Sequence, residues 1–287
     1  MIVDFHVHLF PASVCADREC HFADEPEFAL LYGNPAARLV SEAELLAALD
    51  EEGVDRAVVF GFPWRDPERF RRHNDCIREA VSRHPRRLIG FGCFDPASPA
   101  AAREAERCLE AGLAGIGELA FYGSGMDAEA LARLAPVMDL CRERGRPVLL
   151  HANEPIGHAY PGKTPLTLAQ LYGLVARFPQ NEIVLAHWGG GLFFYGLLKR
   201  EVRERFRNLY FDTAASPYLY EPAVYRIAAQ IVGPGRILFG SDFPLLRPRR
   251  YFRDMEEGGL PAAERALICG ENAARLLGLD TAGGEVA

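Results

Sequence analysis

The densest chemistry in the chain is Asp4-Phe5-His6-Val7-His8, two imidazoles one residue apart in a short apolar run. In an extended strand residues i and i+2 project to the same face, so His6 and His8 would point together from the strand end. Two imidazoles side by side suit a shared divalent ion. Further ionisable residues recur at matching places. His151 closes Pro147-Val148-Leu149-Leu150, His187 closes Ile183-Val184-Leu185-Ala186, and Asp242 closes Ile237-Leu238-Phe239-Gly240-Ser241. Glu118 sits within Gly115-Ile116-Gly117-Glu118-Leu119. Any one of these alone reads as a hydrogen-bonded core histidine or a helix-capping carboxylate. Their coincidence at five strand ends points to a metal centre.

Such residues need elements to hold them. Short runs rich in Val, Ile, Leu and Phe fall at 2–8, 56–62, 88–94, 114–121, 147–151, 183–187, 209–213 and 237–241. They are mostly continuous rather than alternating, as parallel strands buried on both faces are. Helical patterns lie between them. Ser41-Glu42-Ala43-Glu44 has the form of a capping box, and Thr164-Pro165 that of an N-cap followed by a first helical residue. Pro136 must kink the pattern around it or mark its start. Eight strands alternating with helices predict a (β/α)8 TIM barrel, with functional groups at the C-terminal mouth. The barrel is expected over 1–280, with 281–287 as a frayed tail. The 10–40 connection is too long for a plain βα loop and reads as a lid or binding loop. The stretch 261–279 reads as a terminal helix.

Bulk composition excludes several function classes. The chain has 287 residues, 49% hydrophobic and 25% charged, with a formal net charge of −7 and no basic face. Nucleic acid is therefore excluded as a partner. No run approaches the roughly 20 apolar residues of a membrane span. Seven scattered cysteines without a CxxC pair, and an N-terminus without a basic n-region, predict reduced thiols and a cytoplasmic location. A small-molecule substrate is expected, and base rates favour a homodimer.

DFHVH, the His after PVLL, LAHWGGG, FGSDFP and the closing GENAARLLGL together resemble the amidohydrolase superfamily over nearly the whole chain. The nearest branch is the amidohydrolase-2 group, related to aminocarboxymuconate-semialdehyde decarboxylase. The resemblance implies that His6, His8, His151 and Asp242 hold one divalent ion, with His187 acting beside it. Glu118 departs from that pattern. It resembles the strand-four carboxylate of the binuclear, deoxyribonuclease-like branch, where the carboxylate bridges two ions and the strand-five and strand-six histidines hold the second. One ion or two per chain both fit, and Glu118 reads equally as a carboxylate orienting a ligand histidine.

The donor set suits Zn²⁺ first, with Mn²⁺, Fe²⁺ and Co²⁺ also accommodated. The expected reaction is hydrolysis of an amide, lactone or other ester by metal-activated water, with Asp242 moving the proton and His187 stabilising the oxyanion. The alternative on the same scaffold is non-oxidative decarboxylation of an aromatic or muconate-like acid. Candidate substrate contacts are Asn153, His158, Tyr160 and Lys163 on the loop after strand five, and Trp64 and Arg65 after strand two. Lys163 or Arg65 could take a carboxylate and Trp64 could stack on a ring. His73 and His84 are expected to face solvent.

Overall fold

A computed structural model describes residues 1–280 apart from Ser124; the expected tail lies outside them. Eight parallel strands follow one another in sequence order: β1 (Val3–His8), β2 (Arg56–Phe60), β3 (Leu88–Gly92), β4 (Gly115–Leu119), β5 (Val148–Leu150), β6 (Ile183–Leu185), β7 (Leu209–Asp212) and β8 (Ile237–Leu238). The segment after β8 closes the barrel on β1. Phe5 N–H donates to Phe239 O (2.7 Å), Asp242 N–H to His6 O (2.9 Å) and His8 N–H to Phe243 O (2.9 Å). The TIM barrel read from the alternation of runs is the observed architecture.

Two apolar clusters account for the strand composition. Val58, Phe60, Phe91, Leu149, Val184 and Leu238 fill the barrel interior. Their neighbours Ala57, Val59, Val148, Leu150, Ile183, Leu185 and Ile237 pack outward against the helices. Both faces exclude water, which is why the runs are continuous.

At two places the alternation is broken, and both serve the mouth. In β1, Val3 and Phe5 face the interior while Val7 packs outward. A register shift between Asp4 and Val7 turns His6 and His8 inward above Phe5. In β4, Ile116 and Leu119 both pack outward, and a shift between them turns Glu118 inward. Gly117 makes that second switch with φ +136°, and a Cβ there would lie 2.3 Å from Leu149 O. Bulges re-aim side chains in this way at the rims of barrels.

Ser41 forms the expected capping box with Glu44, starting the helix Glu42–Glu52. The next cap differs from expectation. Thr167, paired with Gln170, starts the helix Leu168–Arg177, while Thr164 is engaged by Asn153. Pro136 lies inside the helix Ala128–Glu143, which Asp127 caps. The 10–40 connection carries three short helical pieces (Ala12–Ala16, Glu19–His21 and Pro26–Tyr32). Phe28 of this connection packs 4.5 Å from Trp64 and 5.3 Å from Phe62, ring centre to ring centre. Solvent does not reach His73, contrary to expectation. It accepts from Trp64 Nε1 (2.9 Å) and donates through Nε2 to Leu9 O (2.7 Å), pinning the base of that connection. His84 is half-buried against Glu42. The seven cysteines are free thiols.

Candidate metal centre

Five of the strand ends deliver the ionisable groups of the mouth. His6 and His8 come from β1 and Glu118 from β4, while His151, His187 and Asp242 lie just past β5, β6 and β8. The hydrogen-bonded ladder stops short of these last three because the chain turns there. His187 and Asp242 adopt φ of 54° and 58°, and Trp188 continues the left-handed turn at 60°. Non-glycine residues uncommonly hold this conformation, and those that do cluster at functional sites. The glycines of HWGGG serve the same turn. At Gly190 (φ +59°) a Cβ would lie 2.1 Å from Asn153 O, so the chain passes directly against the loop after β5.

The donor atoms interlock. His6 Nε2 lies 3.6 Å from both Glu118 Oε2 and Asp242 Oδ1. His8 Nε2 lies 3.7 Å from Glu118 Oε2 and 3.3 Å from Asp242 Oδ1. On the other side, His151 Nδ1 is 2.9 Å and His187 Nε2 3.7 Å from Glu118 Oε1. Two ligands about 2.1 Å from one tetrahedral ion are about 3.4 Å apart, the scale of these separations.

Hydrogen bonds on the far side of the rings fix where their protons sit. His6 Nδ1–H donates to Asp212 Oδ2 (2.8 Å), His187 Nδ1–H to Ala214 O (3.0 Å) and His151 Nε2–H to Gly162 O (3.0 Å). The opposite nitrogens of His6 and His187 therefore present lone pairs to the centre, where the carboxylates also present theirs, while His151 meets an acceptor on each side, Gly162 O and Glu118 Oε1. His6 Nε2 is fully buried with no hydrogen-bond partner. Lone pairs facing lone pairs repel unless a cation stands between them, and ligand histidines are held by this kind of outer partner.

The rings and carboxylates shift one another reciprocally. Burial opposes the charged form of His6, yet Glu118 and Asp212 outweigh it and raise the ring well above its usual pKa. Burial likewise opposes ionisation of Glu118, but His6 and His151 hold it well below the usual carboxylate range. Asp242 is lowered and His187 raised through the same reciprocal attraction, again against burial. Asp4 lies behind His6, accepting from the Ser241 N–H and hydroxyl, and burial pushes it up to about 7.

Three contributors were not singled out in the sequence. Asp212 ends its run as the other candidates do, so the same strand-end reasoning reaches it. Tyr32 and Tyr122 border the centre. Their hydroxyls are raised first by burial, then chiefly by Asp242 for Tyr32 and by Glu118 for Tyr122. The Tyr122 ring stacks on Phe62 at 6.3 Å and lies 6.1 Å from His151. Nothing in the local sequence around Tyr32 marks it, because the 10–40 connection brings it to the mouth.

The expected substrate contacts are placed unevenly. Trp64 is 2% exposed and spent on His73 and Phe28. Arg65 pairs with Glu27. Asn153 clamps its own loop by accepting from the Thr164 backbone and hydroxyl (2.8 and 2.6 Å). Lys163 and Tyr160 both bind Glu154, at 2.9 and 2.8 Å, and His158 is exposed.

The amidohydrolase family pattern of the amidohydrolase-2 type matches residues 3–279. The chain is 25% identical over 265 residues to a 2-amino-3-carboxymuconate-6-semialdehyde decarboxylase of Dictyostelium discoideum, covering 78% of this chain and 71% of that protein. It is 26% identical over 256 residues to a gamma-resorcylate decarboxylase of Polaromonas sp., covering 75% and 78%. Its fold is similar to a dihydroxybenzoic acid decarboxylase from Polaromonas sp. solved with bound manganese and 2-nitroresorcinol (TM-score 0.72, 22% identity, 98% of each chain). These relatives correct the expectation of hydrolysis, because the proteins matched over about three quarters of the chain break a carbon–carbon bond. The ligand types could not have separated the two reactions, since both use an ion to polarise a substrate oxygen. From its first strand to its terminal helix, the chain belongs to the amidohydrolase family, in the amidohydrolase-2 branch.

Proposed function

We propose that this protein is a metal-dependent, non-oxidative decarboxylase of an aromatic or muconate-like carboxylic acid. The observation that carries the reading is its similarity, over 75–78% of the chain, to decarboxylases of such acids. The centre is chemically suited to it. His6, His8, Asp242 and Glu118 offer inward lone pairs at spacings that match a shared divalent ion. Nitrogen and carboxylate donors accept Zn²⁺ and Mn²⁺ alike. A bound ion supplies Lewis-acid polarisation of a substrate oxygen.

The rest is work for the chain's own residues. In the reaction the carboxylate leaves as CO2, its bonding electron pair stays with the ring, and a proton is added at the carbon it leaves. For a 2-hydroxy acid that proton starts on the neighbouring hydroxyl. Asp242 takes it and hands it to the ring carbon, and the electron pair released by C–C cleavage restores the aromatic ring as a phenolate. Asp242 is the more open of the two central carboxylates, its side chain 14% exposed against 7% for Glu118. Tyr32 and Tyr122, kept neutral, can donate to substrate oxygens, and Tyr122 with Phe62 forms a flat apolar wall for a ring.

Protein loaded with Mn²⁺ or Zn²⁺ should release CO2 from members of a panel of 2-hydroxybenzoates and muconate semialdehyde acids. In D2O the vacated carbon should gain deuterium. Asp242→Asn should lower kcat by about 10²-fold or more. Fully metallated protein that releases no CO2 from any of the panel overturns the proposal.

A further inference from the structure

Lys163 is the one lysine on the loop after β5, and its charge is spent inside that loop. An ammonium has three N–H donors. Those of Lys163 meet Glu154 Oε1 (2.9 Å), Ile156 O (2.5 Å) and His158 O (3.3 Å). Glu154 is engaged on both sides, because its other oxygen accepts the Tyr160 hydroxyl (2.8 Å). The side chains of Lys163 and Glu154 are only 14% and 20% exposed, so water competes little for either.

This lobe stands beside the centre. Asn153 and Thr164 close its base, and Gly190 of the next loop packs against Asn153 O. Gly162, the residue before Lys163, meets His151 Nε2 through its carbonyl (3.0 Å). The Tyr160 hydroxyl is raised first by burial, then by Glu154, with Asp242 contributing, which sets the lobe within the field of the central carboxylates. A lysine rooted one residue from a His151 contact has a flexible stem long enough to meet a substrate there. The bond to Glu154 turns it back.

We propose that Glu154 is a specificity-determining residue, which holds Lys163 inside the lobe and so denies a second substrate carboxylate the cation it needs. The proposal rests on the decarboxylase reading above and narrows it to aromatic acids with one carboxylate, against muconate-like diacids. Arg65, on the loop after β2, is paired with Glu27 and supplies no substitute. The wall of Tyr32, Tyr122 and Phe62 is neutral. A second carboxylate placed against it is desolvated without a partner, and Glu154, Glu118 and Asp242 repel it. Ring hydroxyl and methyl substituents meet neither penalty.

Benzoate and benzene-1,3-dicarboxylate test the selection apart from the reaction, since neither carries the 2-hydroxyl on which the proton transfer depends. In calorimetric titrations of Mn²⁺-loaded protein, benzoate should bind at least about 10-fold more tightly than the diacid. Glu154→Gln loosens Lys163 and should shrink that preference about 10-fold, chiefly by tightening the diacid. Adding Lys163→Met to Glu154→Gln should restore the preference, which loss of loop order alone would not do. Lys163→Met by itself, which serves if Glu154→Gln does not fold, should weaken the diacid and not benzoate. No benzoate binding by the unaltered protein, equal binding of the two acids, or an unchanged ratio in folded Glu154→Gln overturns the proposal. Loss of benzoate affinity in Lys163→Met also overturns it, because Lys163 would then already serve the substrate. CO2 release from 2-hydroxybenzoate reports separately on the reaction: selective benzoate binding without CO2 release sustains the selection by Glu154 while overturning the decarboxylase reading.

Discussion

Asp212 shows how much of the candidate centre rests on a residue outside the inward-facing donors. Its Oδ1 accepts the backbone N–H groups of His187 and Ala214 (2.9 and 3.0 Å), leaving Oδ2 for His6 Nδ1–H (2.8 Å). In Asp212→Asn the single remaining oxygen is claimed by those two N–H groups, and the amide turns its own hydrogens toward His6. The ring must then move its proton to Nε2 and lose its inward lone pair. Metal affinity should fall about 10- to 100-fold, measured by competition with a chromogenic chelator, while the melting temperature changes far less. His73 gives a pH prediction. Burial lowers its pKa from 6.5 to about 4, and neutrality lets Nδ1 accept from Trp64. The unfolded chain binds this proton first, so the stabilisation is complete above pH 6.5 and is lost as pH falls toward 4. The loss amounts to about 3 kcal/mol. His73→Gln, whose amide can make both bonds at any pH, should be less stable than the parent at pH 7 but should lose less on going to pH 5, by urea titration.

At the scale of the element, two register shifts decide what the mouth contains. Strict alternation through β4 would place Glu118 on the outward side with Ile116. Gly117 prevents this by taking φ +136° where Leu149 O leaves no room for a side chain. Gly117→Ala should cost about 3 kcal/mol or more in denaturant titration. It should also reduce bound metal, since Glu118 can no longer hold its inward position. An unchanged metal content would mean that Glu118 reaches the centre by another route.

For the molecule as a whole, the short β8 is the weak seam of the barrel, and the terminal helix secures it. Asn272 is fully buried and donates to Pro234 O and Ile237 O, each at 2.7 Å, while Phe239 N–H bonds Ile268 O. Asn272→Ala leaves both carbonyls without these donors and should cost about 2–3 kcal/mol of stability in urea. Because the helix lies away from the mouth, metal content per folded chain should be unchanged.

Local sequence determined the elements and most of the centre. Apolar runs buried on both faces, the Ser41 capping box and ionisable residues at successive strand ends all follow from rules acting over a few residues. His6, His8, Glu118, His151, His187 and Asp242 were legible for that reason. The burial of His73, the engagement of Thr164 and the packing of Trp64 lie beyond local rules because each depends on a distant partner, namely Leu9, Asn153 and Phe28. Tyr32 and the division of donors across Glu118 also belong to the tertiary structure. Which lone pairs meet is set by bulges and by the acceptors Asp212, Gly162 and Ala214 behind the rings, and those contacts exist only once the barrel closes.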